Sequence, residues 1–222
     1  HIHSAMNYAR GRQYTVAMRG TAHRNEICWL RKAPHSFGWD IAPRLVSAGL
    51  WRDVSLAPRN NTRILETYYA TPQLEDGGIW LQYAYRFETD ADELEGFRVR
   101  VTGECGDSRF EHDLPAHFVS ANHALFIPAP RLWWPNGYGE QPLYAVRMQL
   151  IHRGAVVDER EEKIGLRTFR LERSFERGDQ QFLMSVNDVP IFVRGTNWVP
   201  LDALHSRDLA RLERVHALCA ES

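Results

Sequence analysis

The chain has 222 residues, more than one average domain and less than two at roughly 150 residues each. Its 27 Lys+Arg balance 28 Asp+Glu to a net charge of −1, which gives it no reason to seek nucleic acid or an anionic membrane. No apolar run approaches the ~20 residues that span a bilayer, and 44% hydrophobic with 25% charged residues excludes a disordered chain.

In chain order, Tyr14–Met18 is a short strand or a helical turn, and Ile27-Cys28-Trp29-Leu30 is a buried strand. Pro34 and Gly38 punctuate a loop that runs to Gly49. Leu50, Val54 and Leu56 fall at even spacing and predict a strand closed by Pro58. A new unit begins near Asn60. Arg63 to Ala70 is rich in Ile, Leu and Tyr. Ile79, Leu81, Tyr83, Tyr85 and Phe87 then alternate against Gln82, Arg86 and Glu88, as in a half-buried strand. Phe97, Val99 and Val101 repeat the pattern, Leu125–Ile127 is a short strand, and Tyr144, Val146, Met148 and Leu150 make the next. Arg153-Gly154 is a tight turn into a long polar strand that starts at Val156-Val157.

Strands at this rhythm with no helical period between them predict an antiparallel sandwich. About a hundred residues is the size of an immunoglobulin-like sandwich, here without its Cys–Trp–Cys core. From Leu166 the pattern changes. Phe182, Met184 and Val186 predict a strand, Asn187-Asp188 a hairpin turn, and Ile191-Phe192-Val193 a strand buried on both faces. Ser206 is placed to cap a helix, with Asp208 in its first turn, and Leu209, Leu212, Val215 and Cys219 keep helical spacing. Strand, loop and amphipathic helix read as the first βα step of a parallel barrel.

The chain starts at His1-Ile2-His3-Ser4 without Met and stops at Ala220-Glu221-Ser222 directly after a helical pattern, so a piece of a longer protein is expected. Three cysteines, Cys28, Cys105 and Cys219, form no CxxC or Cys/His spacing and predict free thiols. The ten His share no metal-ligand spacing, and no GxSxG, Walker or GxGxxG pattern occurs, so neither metal nor cofactor is expected.

Aromatic residues make up 11% of the chain and include seven Trp, a composition that suits a β-rich core or a sugar-facing surface. Three loop segments concentrate this chemistry: Phe37-Gly38-Trp39-Asp40, Trp133-Trp134-Pro135-Asn136-Gly137, and Thr196-Asn197-Trp198-Val199-Pro200. An indole stacks on the C–H face of a pyranose, and amides and carboxylates take its hydroxyls. Trp39 with Asp40, and Asn197 with Trp198, offer such pairs on loops, where function concentrates. A loop cap or a salt bridge to Arg44 would explain Asp40 as well, and local hydrogen bonding in a helix-entry loop would explain Asn197 and Trp198. Trp133 and Trp134 read as structural anchors of a turn at a domain junction.

Four stretches together resemble β-mannosidases of glycoside hydrolase family 2. They are Phe37-Gly38-Trp39-Asp40 with Gly49-Leu50-Trp51-Arg52-Asp53-Val54; Leu132-Trp133-Trp134-Pro135-Asn136-Gly137-Tyr138-Gly139; Lys163-Ile164-Gly165-Leu166-Arg167-Thr168; and Gly195-Thr196-Asn197-Trp198-Val199-Pro200-Leu201-Asp202. The resemblance implies a mainly β chain in three parts. Residues 1–57 would be the end of a jelly-roll sugar-binding-like domain, 58–165 an immunoglobulin-like sandwich, and 166–222 the start of a catalytic (β/α)8 barrel. It also implies a retaining exo-glycosidase acting on terminal β-mannosides through two Glu residues roughly 5–5.5 Å apart. No residue of this chain matches either of them. Asn25-Glu26 has the look of the acid/base pair but precedes a strand of the first domain, so the chain alone is expected to be inactive. Trp39, Asp40, Asn197 and Trp198 match substrate-side positions, although Ile41 and Ala42 replace the family's usual aromatic and Gly. Self-association through the last segment is also expected, because large apolar faces are rarely left open. Two alternatives remain at this stage: a non-catalytic carbohydrate-binding or interaction sandwich, and a β-galactosidase- or glucosaminidase-type member of the same superfamily.

Overall fold

The computed structural model describes residues 32–38, 42–50, 52–176 and 179–221. The strand or helical turn read at 14–18 and the strand read at 27–30 lie outside them. The chain divides into two units, one of residues 58–195 and one that joins 1–57 to 196–222.

The 58–195 unit contains an antiparallel β-sandwich. Its strands are β1 (Arg63–Glu75), β2 (Gly78–Glu88), β3 (Phe97–Cys105), β4 (Ser108–Pro115), β5 (Ser120–Pro128), β6 (Tyr144–His152) and β7 (Ala155–Ile164). One sheet has the order β1-β2-β5 and the other β4-β3-β6-β7. Pairing of β2 with β5 and of β3 with β6 is the crossover of an immunoglobulin-like Greek key. Here β4 pairs with β3 rather than β5, so three strands face four.

The alternation read from the sequence points inward as predicted. Ile79, Leu81, Tyr83, Tyr85 and Phe87 of β2 meet Phe97, Val99 and Val101 of β3 and Tyr144, Val146, Met148 and Leu150 of β6 in one buried core. No disulfide is needed, because these large side chains fill the space between the sheets. Tyr144 ties the core to the long β5–β6 connection. Its hydroxyl donates to Ser108 Oγ at 2.6 Å and accepts from the Arg131 amide at 2.8 Å. A Tyr at this corner of an immunoglobulin-like sandwich bonds back to upstream backbone in the same way.

At one rim the inward positions of β7 are charged. Asp158 accepts from the Ile64 amide at 2.7 Å, Arg160 donates to the Ile64 carbonyl at 2.9 Å, and Glu162 accepts from Thr67 at 2.6 Å. Side chains thus satisfy edge groups of β1 that no strand pairs, and such inward charges also keep foreign strands off the edge.

Beyond the sandwich, β8 (Phe169–Glu176), β9 (Asp179–Val186) and β10 (Val189–Ile191) form a three-stranded antiparallel sheet. Asn187 and Asp188 have φ of 50° and 62°, the left-handed pair that a two-residue hairpin turn demands. Asn187 also clasps this sheet to the Trp133 loop. It accepts from the Thr168 amide at 3.0 Å and donates to the Trp133 carbonyl at 3.1 Å. Leu132 and Leu166 form a parallel bridge, the Trp133 ring packs against Gly165, and the Arg167 guanidinium lies 4.7 Å from that ring. Trp133 is therefore the structural anchor that its turn context predicted.

Three expectations are corrected. Leu50, Val54 and Leu56 do not build a strand. They lie on irregular chain, 88%, 76% and 102% exposed, because no strand among the described residues lies alongside to pair with them. Ile191-Phe192-Val193 is not a strand buried on both faces either. β10 stops at Ile191 and Phe192 is 77% exposed, since β10 borders β9 on one side only. Ser206 does not cap the helix directly. It sits inside a 3-10 turn, His205–Arg207, that precedes helix α1, Asp208–Glu221.

Candidate functional site

The described parts of the sequence-predicted sites fall in the unit that joins 1–57 to 196–222. Trp39 and Asp40 themselves lie outside the described residues, but both stems of their loop are described. On one side Pro34–Phe37 forms a 3-10 turn, and Gly38 leaves it at φ 100°, a conformation that favours glycine. On the other, Arg44 places its guanidinium 5.4 Å from the buried Phe37 ring, and the Leu45 amide donates to the Ser36 carbonyl at 3.0 Å. Both of these contacts are local to the stem.

Asn197 and Trp198 lie on the irregular segment between β10 and the His205–Arg207 turn. Pro200 lacks the amide a ladder needs, and no strand among the described residues pairs with this segment. Trp198 is 52% exposed, and its indole meets His216 of α1 edge-on, with centroids 6.1 Å apart. About half of a large aromatic side chain is thus accessible, and the helix supplies its ring neighbour.

Sequence reasoning missed the polar network that shapes this segment. Asp202 accepts from the Leu204 amide at 2.9 Å and pairs with Arg211 at 2.9 Å. The Leu204 amide, with Arg211 and Arg207, holds the Asp202 carboxyl below the usual range. Asp208, at the first position of α1, accepts from the Asp202 amide at 3.0 Å and contacts His205 Nδ1 at 2.8 Å. A carboxylate there also suits the positive end of the helix. Arg211, one turn further, donates to the Leu201 carbonyl at 2.9 Å. His35 stacks edge-on against His205 at 4.7 Å, and burial, then the His205 charge, lowers its pKa. The spacing Asp202, Asp208, Arg211 carried the only available signal, an acid before a helix followed by a base within it. A cleft of about 280 Å3 opens here between Ala42-Pro43 and Val199-Pro200, with Asp202 and Arg211 in its wall. It can offer a carboxylate, a guanidinium and apolar floor to a small polar ligand. Among the described residues that line it, no second carboxylate joins Asp202 to make the pair that glycosidic hydrolysis needs.

The profile of glycosyl hydrolases family 2 matches residues 62–167. Beta-mannosidase B of Aspergillus terreus is 32% identical over 187 residues, covering 79% of this chain and 20% of the relative. Beta-mannosidase B of Aspergillus oryzae is 28% identical over 79% of this chain and 21% of its own length. Among solved structures, Beta-D-Mannosidase from Dictyoglomus thermophilum superposes with a TM-score of 0.73 at 29% identity, over 91% of this chain and 25% of that one. The chain therefore spans about a fifth of the length of the curated relatives it matches.

Proposed function

The chain belongs to glycosyl hydrolases family 2, and from that premise we propose that it works as part of a retaining exo-β-mannosidase that hydrolyses terminal β-D-mannosides. The observation that carries this reading is the likeness of 91% of the chain to a Beta-D-Mannosidase at a TM-score of 0.73. In this reading 58–165 is the immunoglobulin-like spacer, 1–57 ends a jelly-roll domain, and 166–222 opens the catalytic barrel. Trp198 stacks on the terminal sugar, and Asn197 hydrogen-bonds a hydroxyl. Trp39 and Asp40 reach the same sugar from their loop.

The acid/base and nucleophilic Glu residues, roughly 5–5.5 Å apart in retaining enzymes, are supplied from outside these 222 residues, so the chain alone turns over no substrate. Two assays test the proposal. The purified chain should leave an aryl β-mannoside intact, and turnover abolished by Glu26→Gln would overturn that part. The longer protein containing this chain should cleave the β-mannoside in preference to the β-galactoside and the β-glucosaminide. In that protein Trp198→Ala should lower kcat/KM by roughly 10- to 100-fold, the loss of one stacked ring at 1.4 kcal/mol per decade. Preference for another aryl glycoside would move the assignment within the family.

A further inference from the structure

The two rims of the sandwich are closed by different chemistry. At the β1–β7 rim the closure is by Asp158, Arg160 and Glu162, with no imidazole. At the β4–β5 rim it is by rings. His112 of β4 and His123 of β5 face each other edge-on, 6.3 Å between centroids and 90° between planes. Both lie against Tyr83 of β2, at 5.8 Å and 5.5 Å, and His123 also stacks on Tyr85 at 6.0 Å. The Tyr83 hydroxyl sits 3.0 Å from His112 Nδ1. Tyr83 is fully buried, and burial pushes its pKa up to about 12. It therefore stays a neutral phenol at every pH at which the imidazoles titrate.

The titratable groups packed on this pair are Tyr83 and Tyr85 from β2 and the two imidazoles themselves, from β4 and β5. The carboxylates beside His112 in sequence, Glu111 and Asp113, point to the outer face of the sheet, where Arg100 and Arg98 engage them. The Asp113 charge reaches Tyr83, but Arg98 and Arg100 already engage that carboxylate, so a proton added to the pair gains no carboxylate partner of its own and places a charge beside aromatic and apolar side chains.

We propose that the His112–His123 pair makes the β4–β5 rim an acid-sensitive seam, which parts locally on protonation while the β1–β7 rim stays closed. The sign follows from the placement. Burial, and then the charge of His112, lower the pKa of His123 below 6.5. The unfolded chain then binds the proton more readily. The stabilisation is complete above about pH 6.5 and is lost as pH falls through the folded value.

Hydrogen exchange on the 222-residue chain at pH 7.5 and 5.5, corrected for intrinsic rates, tests this. Amides of β4 and β5 should open roughly severalfold more at pH 5.5 relative to those of β1 and β7, because the opened rim binds the proton more readily than the closed one. His123→Phe keeps a ring in the stack and removes the proton site, so it should abolish the difference. Equal acid response at both rims, or an undiminished response in His123→Phe, would overturn the proposal. The wild-type imidazole signals decide even if that variant does not fold. A His123 midpoint below 6.5 supports the seam, and one at or above 6.5 refutes it.

Discussion

Asn187 is buried, left-handed and bonded at both ends of its amide, and each property raises the cost of replacing it. Asn tolerates φ near 50° better than other non-Gly residues. Its Oδ1 and Nδ2 serve the buried Thr168 amide and the part-buried Trp133 carbonyl. Asn187→Ala should cost about 2–4 kcal/mol, the sum of an unsatisfied buried group and backbone strain. Asn187→Gly removes the strain and keeps the bonding loss, so it should fall near the lower end. Urea midpoints of the two variants check the order, and an alanine variant as stable as the glycine one would sink the strain argument. The Asn187-Asp188 turn was legible in the sequence because the dipeptide encodes its own φ values. The clasp to Trp133, 54 residues away, was not, since nothing local encodes a tertiary partner.

Strands were legible where alternation was apolar against charged, and lost where one inward position was polar. β2, β3 and β6 read correctly. β4 has Phe110, His112 and Leu114 on its inward side, and the imidazole broke the pattern, so the strand was missed. β8 was missed because its apolar residues are separated by Arg and Glu on a short sheet. β5 was read only at Leu125–Ile127, since Ala121 and His123 extend its inward row without large apolar side chains. Gly103 of β3 gives this scale its prediction. A Cβ there would stand 2.2 Å from the Phe110 ring, which lies across the glycine from the paired strand β4. Gly103→Ala should therefore destabilise by about 1–3 kcal/mol through overpacking. Adding Phe110→Leu should return part of that loss, because the ring atoms in the way are gone. A thermal-melt cycle measures the coupling, and strictly additive effects would show that Phe110 is not the obstacle.

At the scale of the whole molecule, the described sandwich core lies in one unit. The β1–β7 core, the Tyr144 corner and the Asn187 clasp all lie within 58–195, and the described residues just before it, 52–57, form no strand. Leu50, Val54 and Leu56 on one side and Phe192 and Val193 on the other are exposed apolar side chains on irregular backbone. A protease that cuts beside large apolar residues needs such backbone, and the same residue types inside the sandwich are shielded by ladder hydrogen bonds and packing. Thermolysin should therefore cut the chain between residues 52 and 58 and between 191 and 194, leaving a resistant product that holds both sheets of the sandwich. That product should keep cooperative unfolding, since it retains both sheets and the hairpin sheet that Trp133 anchors. Mass spectrometry of the digest fixes both ends. Early cleavage within β2, β3 or β6 would mean that the sandwich does not hold together without its flanking segments. The candidate sugar contacts would be lost with the trimmed segments. Saccharide binding that survived on the trimmed product would therefore move the site from Asn197 and Trp198 onto the sandwich itself.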